Sequence, residues 1–538
     1  MRLFSWLRER IGGDRPPRSA RPRSSKSRPA PSFRPRLEAL EDRCVPTVLA
    51  VTSSFDNVTD NHTLRYAVAN AQSGDTILLT AAIKDPIVLT NGELLLSQNV
   101  TIESVPARTP TISGDNLSRV FEVASGVSVT LSNLTVTAGN AQTGNPADPH
   151  EGRGGGIVID EGASLTITDS SVTDNSAAFV AGKGGLGGGI ADYGTLTVRD
   201  CTVSDNHALG TYGGGIAVFS GAPFSAPFAA TLTVSDSTLS GNSAYQNGGG
   251  IAGVSSQLTV TDSILSGNST TLYDGGGINN HGGTLALTGC TLSGNTAAGY
   301  GGGIYNYAAA TISDCKVIDN TAGFDGGGIS TSNVSTTAIS DSTLSGNSAR
   351  YFGGGIANFG TMTLSARNLS GNSALLGGGI ANFNTLTVSN SNLSDNSAYY
   401  DGGGIANFGT MTVSNSTLSD NSAYYGGGIV NFGTMTDSDS TLSGNSAKYY
   451  GGGIYNVGTA TVSDSTLSGN SVTVYGGGGI ANFGRMTVND STLSDNSATF
   501  GGGIVTFGTL TVSDSTFEDN TPSNIFGGYT DGGGNTFS

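Results

Sequence analysis

The sequence predicts an all-β solenoid, a right-handed parallel β-helix with 24–27 residues in a typical coil. Three observations predict it. Gly-Gly-Gly-Ile recurs fourteen times, with its Ile running from Ile157 to Ile504. The segments between these marks alternate apolar and polar residues with period two and never with the 3.6-residue period of a helix. The 538 residues include 83 Gly, while apolar residues make up only 36%, a composition of short strands and turns without the G-X-Y period of collagen.

A typical unit, residues 402–425, shows the elements in order. Ile405 opens the coil, and Met411 and Val413 face one side while Thr410 and Thr412 face the other. After a bend at Ser414-Asn415, Ser416 and Leu418 start a second inward row. Three short strands per unit cannot enclose a core, so neighbouring units must stack and share one. Stacking makes rows of like residues: the Ile row, a row through Leu386, Met411 and Met435, and a row through Leu393, Leu418, Leu442 and Leu467.

Asparagine forms two further rows. One runs from Asn242 to Asn496 and includes Asn347, Asn372, Asn396, Asn421, Asn445 and Asn470; the other includes Asn358, Asn382, Asn407, Asn431, Asn456 and Asn482. Asparagine tolerates left-handed turns, and its amide can bond the like amide one coil away, so these rows are expected to be structural ladders.

Charge divides the chain. Residues 1–43 hold 12 of the 24 Lys and Arg and 5 of the 41 Asp and Glu, a net +7, which leaves −24 on the remainder. The first segment, residues 1–46, is also rich in Pro and Ser and is expected to be a disordered export or targeting tail. The acidic body argues against nucleic acid as a partner. Within the tail, Arg36-Leu37-Glu38-Ala39-Leu40-Glu41-Asp42-Arg43-Cys44-Val45-Pro46 resembles the LEALEDRxVP segment of large exported proteins of planctomycete-type bacteria, which implies export. Residues 47–153 are expected to hold an N-terminal cap and irregular first coils. There Thr63-Leu64-Arg65-Tyr66-Ala67-Val68-Ala69-Asn70-Ala71, followed by Gly74-Asp75-Thr76-Ile77, is similar to the CSLREA-type start of exported β-helix proteins. Leu64, Val68 and Ala71 share a helical face, so a short capping helix is expected over the end of the stack. Residues 154–538 are the regular repeat.

The GGGI element followed by Leu-x-x-Asn, once Phe517-Glu518-Asp519-Asn520, resembles the GGA-I and F-x-x-N repeat of polymorphic outer membrane proteins. That resemblance implies an extracellular or cell-surface, outer-membrane-associated solenoid, monomeric and adhesive. The 34 residues after Ile504 leave no room for the membrane β-barrel that ends those proteins, so self-contained autotransport is not expected. No apolar run is long enough for a transmembrane helix.

Residues with chemistry are sparse. Cys201, Cys290 and Cys315 occupy the register of Ser416 and are expected to be small inward residues, with a Cys290–Cys315 bond as the alternative. His62, His150, His207 and His281 have no Cys or carboxylate at metal-ligand spacing, so no metal site is expected beyond weak Ca²⁺ binding by surface acid, and no cofactor. The β-helix is also the fold of pectin-lyase-like enzymes, which makes a polysaccharide lyase or hydrolase the alternative function. The motifs of those hydrolases are absent, and the weak catalytic candidates His150, Glu151 and Arg153 lie where the repeat breaks, between residues 141 and 230. The more specific expectation is a glycan-binding stripe of Tyr399, Tyr400, Tyr424, Tyr425, Tyr449 and Tyr450, with one ring of each adjacent pair facing out. An outward Thr-x-Thr row at 361/363, 385/387, 410/412, 434/436 and 459/461 adds ice binding as a further alternative. The expected function is a non-enzymatic, exported surface rod that binds glycan or protein.

Overall fold

The computed structural model describes residues 46–105, 108–142, 149–178, 184–220 and 230–538. The basic tail and its LEALEDRxVP motif, residues 1–45, lie outside the described residues, as do residues 143–148, 179–183 and 221–229 within the two irregular loops.

The chain winds as a parallel β-helix in which strands pair with the strands of the same column one coil earlier and one coil later, mostly in register. The unit at Ile405 shows the pattern: strands Ile405–Asn407, Thr410–Ser414, Thr417–Ser419 and Ser422–Tyr425. This is four strands where the alternation predicts three. The added break is the Phe408-Gly409 turn, placed directly after the Asn407 ladder residue. Where that turn is absent the face runs straight through, as single 11-residue strands at Ile251–Thr261 and Ile278–Thr288. The first two strand columns therefore belong to one 34-stranded sheet, while the third and fourth build an open stack and a 12-stranded sheet. The GGGI column holds seventeen strands, from Leu94–Leu96 to Ile525–Phe526, and continues unbroken across residue 154.

The core is the set of inward rows. Every GGGI isoleucine from Ile157 to Ile504 is fully buried, as are Leu393, Leu418, Leu442 and Leu467, with Met411 and Met435 beside them. Burying an aliphatic side chain of this size contributes about 1.5–3 kcal/mol, so each coil supplies several such terms that no isolated coil could realise.

The glycine triplet is a consequence of how closely the coils approach there. Gly402 has φ +65°, and a Cβ on it would lie 2.2 Å from the Ile405 carbonyl oxygen. A Cβ on Gly403 would lie 2.4 Å from the Gly427 carbonyl oxygen one coil on. The triplet also carries coil-to-coil hydrogen bonds, Gly403 N–H to Gly426 O and Gly404 N–H to Gly427 O, both 3.1 Å. At the bend after the second strand, Asp236, Asp262, Asp341, Asp464, Asp490 and Asp514 all have φ near +50°, the left-handed conformation that short polar side chains tolerate. Their register is thus a backbone requirement of the turn.

One helix is present among the described residues, Leu64–Asn70, started by Thr63, whose hydroxyl accepts the Tyr66 N–H. Leu64, Ala67 and Ala71 are buried and Val68 is half-buried, so the apolar face is broader than Leu64, Val68 and Ala71 alone. It packs against Val48–Val51, Thr76–Leu79 and Leu94–Leu96.

Candidate functional site

The paired tyrosines gather on the 12-stranded sheet and the turn that follows it. Strand Ser397–Asp401 pairs with Ser422–Tyr425, and that strand pairs with Ser446–Tyr450, with register shifts between Ser397 and Asp401 and between Ala423 and Tyr425. These shifts overturn the expectation that one ring of each pair turns inward. Tyr399 and Tyr400 are 54% and 44% exposed, and Tyr424, Tyr425, Tyr449 and Tyr450 are half-buried at the surface. A bulge adds a residue and rotates the strand locally, which brings both rings of a pair to the outside.

The rings form a continuous network. Tyr399 meets Tyr400 edge-on at 4.6 Å and Tyr424 at 4.9 Å; Tyr424 meets Tyr449 at 5.7 Å, and Tyr449 meets Tyr475 at 5.8 Å. A second line runs from Tyr425 to Tyr455 and from Tyr450 to Tyr475 and Phe483. The Lys448 ammonium lies over the Tyr424 and Tyr449 rings at 4.6 and 5.1 Å. The Lys448 ammonium donates to the Tyr449 hydroxyl, which raises the Lys448 pKa, and a hydrogen bond with Tyr424 raises that of Tyr399. Beside the rings runs an open groove of about 370 Å³, lined by Ser397, Ser422, Ser446, Tyr399, Tyr424 and Thr473. Aromatic faces, hydroxyls and one cation on a rigid strand frame can stack on a flat apolar ring face and bond its polar rim.

The asparagine rows are occupied by their own ladders. Asn347 Nδ2 donates to Asn372 Oδ1 at 3.0 Å, Asn372 to Asn396 at 2.9 Å and Asn445 to Asn470 at 3.0 Å; the series extends beyond the expected row, to Asn175 and Asn206 below and Asn520 above. In the second row Asn382 donates to Asn407 at 2.7 Å. Both rows are buried. Cys201, Cys290 and Cys315 are buried free thiols in the serine register, where Ser237 and Ser342 accept the backbone N–H of Cys201 and Cys315. The Thr-x-Thr pairs stand in register, exposed at Thr410, Thr412, Thr434 and Thr436 and half-buried at Thr387 and Thr461.

The irregular first coils hold a second concentration of chemistry. Glu122 is the outward residue of strand Phe121–Val123, and Asp160 follows strand Ile157–Ile159 one coil on. The loop before GGGI brings His150 to them: His150 Nε2 lies 3.0 Å from Asp160 Oδ1 and 3.9 Å from Glu122 Oε1. Arg119, fully buried, anchors the loop by donating to the His150 carbonyl at 2.8 Å and to those of Arg153 and Gly154 at 3.1 Å, and it pairs with Glu93. Burial, together with the nearby Glu93 carboxylate, raises the pKa of Glu122. Of the catalytic candidates, Glu151 is 1% exposed and closed off from a polysaccharide, and Arg153 lies against the Tyr193 ring at 5.3 Å. His150 reaches a carboxylate cluster. Sequence reasoning missed Glu122 and Asp160 because they lie on different coils, 28 residues before and 10 after the histidine.

Comparison with known proteins agrees with the winding. The chain resembles, by structure, the surface adhesin PfbA of Streptococcus pneumoniae at 10% identity and TM-score 0.26, covering 91% of each chain. It also resembles the Dettilon tailspike protein at 13% identity and TM-score 0.22, over 80% of this chain and 64% of that one. A third likeness is to the Agl-KA catalytic domain at 14% identity and TM-score 0.20, over 93% and 69%. Scores this low bear on neither activity nor partner. No curated protein matches the chain. The Chlamydia polymorphic membrane protein repeat matches residues 439–457. The family described as the right handed beta helix region matches residues 83–261 and 229–374, more than half the chain, and the chain belongs to that right-handed β-helix family.

Proposed function

We propose that this protein is an exported, non-enzymatic surface rod that holds glycans through the tyrosine patch on residues 397–475. The observation that carries the reading is the ring network from Tyr399 to Tyr475, which lies at the surface beside the serine-lined groove, exposed at its two ends and half-buried at Tyr424 and Tyr449, on strands paired coil to coil. Such a patch is organised before binding, because ladder hydrogen bonds fix the backbone and ring-to-ring contacts fix the side chains, so little side-chain entropy is lost on association. Repetition at one-coil intervals suits a polymer, whose successive residues can engage successive rings and gain by effective concentration. Extracellular placement rests on the polymorphic membrane protein repeat at residues 439–457 and on the export-type tail.

Replacing Tyr399, Tyr424 and Tyr449 together by Ala tests the reading. Retention on an insoluble polysaccharide should fall at least tenfold while thermal stability changes little. Undiminished retention would remove the patch from the account.

A further inference from the structure

We propose that Glu122, His150 and Asp160 form a binding site for one divalent transition cation of the zinc class, with a fourth position open to water. The proposal is independent of the tyrosine patch, which lies on other coils.

Two observations support it. The first is geometry: one ligand atom from each residue lies within 4.8 Å of the other two. Ligand atoms about 2.0–2.1 Å from a tetrahedral zinc ion stand about 3.3 Å from one another. The His150–Asp160 separation of 3.0 Å and the His150–Glu122 separation of 3.9 Å bracket that value, so both edges of the triangle that meet at the imidazole lie within fractions of an ångström of it. The second is charge. The carboxylates of Glu93, Glu122 and Asp160 outnumber the guanidinium groups of Arg119 and Arg153 around the cluster, a negative excess that a bound cation offsets.

The donor set selects the metal. An imidazole nitrogen with two carboxylates suits Zn²⁺ and its neighbours better than Ca²⁺ or Mg²⁺, which prefer oxygen alone. Arg119 acts as the positioning residue, since its bonds to the His150, Arg153 and Gly154 carbonyls fix the loop that presents the imidazole. The His150 and Asp160 side chains are 15% and 19% exposed, which leaves an entry path from solvent.

The test is calorimetric titration of the full, tag-free, chelator-treated chain with Zn²⁺, alongside His150→Gln, Asp160→Asn and the distant control His207→Gln. The expected result is one equivalent bound by the parent chain and by the control, with affinity at least tenfold weaker in the first two variants. Co²⁺ in place of Zn²⁺ should give visible absorption that the two variants lose, and Zn²⁺ should raise the Tm of the parent chain but not theirs. His150→Gln changes a loop side chain outside the core, so it remains informative if Asp160→Asn does not fold. No binding by the parent chain, or equal binding by parent and His150→Gln, would overturn the site.

Discussion

Asn421 Nδ2 donates to Asn445 Oδ1 at 2.9 Å, and the same oxygen accepts the Asn421 backbone N–H at 3.0 Å. The Asn421 amide also donates to the Leu393 carbonyl, and its own oxygen accepts two bonds from Asn396. All four bonding positions of a fully buried amide are filled. Replacing Asn421 by Ala leaves the Asn396 backbone N–H and one Asn396 amide N–H buried without their acceptor, and removes one bond to the Leu393 carbonyl. Each such group costs about 1–3 kcal/mol, so the variant should lose about 3 kcal/mol in urea unfolding, while Thr412→Ala on the exposed face should change stability by about 0.5 kcal/mol or less.

Gly403→Ala should be worse than its size suggests. The new methyl would sit 2.4 Å from the Gly427 carbonyl oxygen, and backbone on both sides prevents its retreat. A loss of about 3 kcal/mol is expected, against almost none for Gly528→Ala, whose surroundings are open. Thermal unfolding of the two variants side by side checks this.

Asp437 stands in the apolar row between Val413 and Val462, fully buried, and burial pushes its pKa up to about 6. A carboxyl whose folded pKa exceeds its unfolded value destabilises the fold as pH rises from the lower value to the higher. Asp437→Val should therefore gain about 3 kcal/mol over the parent at pH 8, most of it vanishing by pH 4. Asp192, raised to about 7 by burial in the same manner, should add to the parent chain's loss of stability above pH 5. Denaturation midpoints measured from pH 4 to 8 give the slope.

Cys315→Ser should be nearly neutral, within about 1 kcal/mol, because the Cys315 thiol donates to the Ser313 carbonyl at 3.1 Å just as the Ser342 hydroxyl in the same register donates to that of Ser340. A Tm shift larger than about 1 °C would contradict this.

The repeat made the fold legible. Glycine triplets, inward Ile and Leu rows and asparagine registers each report a contact between like residues one coil apart, and a fixed period makes such contacts readable from sequence. The tyrosines were legible in position but not in direction, since the bulges at Tyr399-Tyr400 and Tyr424-Tyr425 break the alternation that predicts which ring faces out. His150 was legible as a residue at a break in the repeat, but Glu122 and Asp160 carried no signal, because they meet it only through the winding of three separate segments.

The most direct measurement incubates the full chain with a panel of insoluble polysaccharides and records, in the same tubes, protein retained and reducing or unsaturated ends released. The account predicts retention on at least one glycan, lost with the Tyr399, Tyr424 and Tyr449 triple variant, and no product. Product release, or retention that the triple variant keeps, would contradict it.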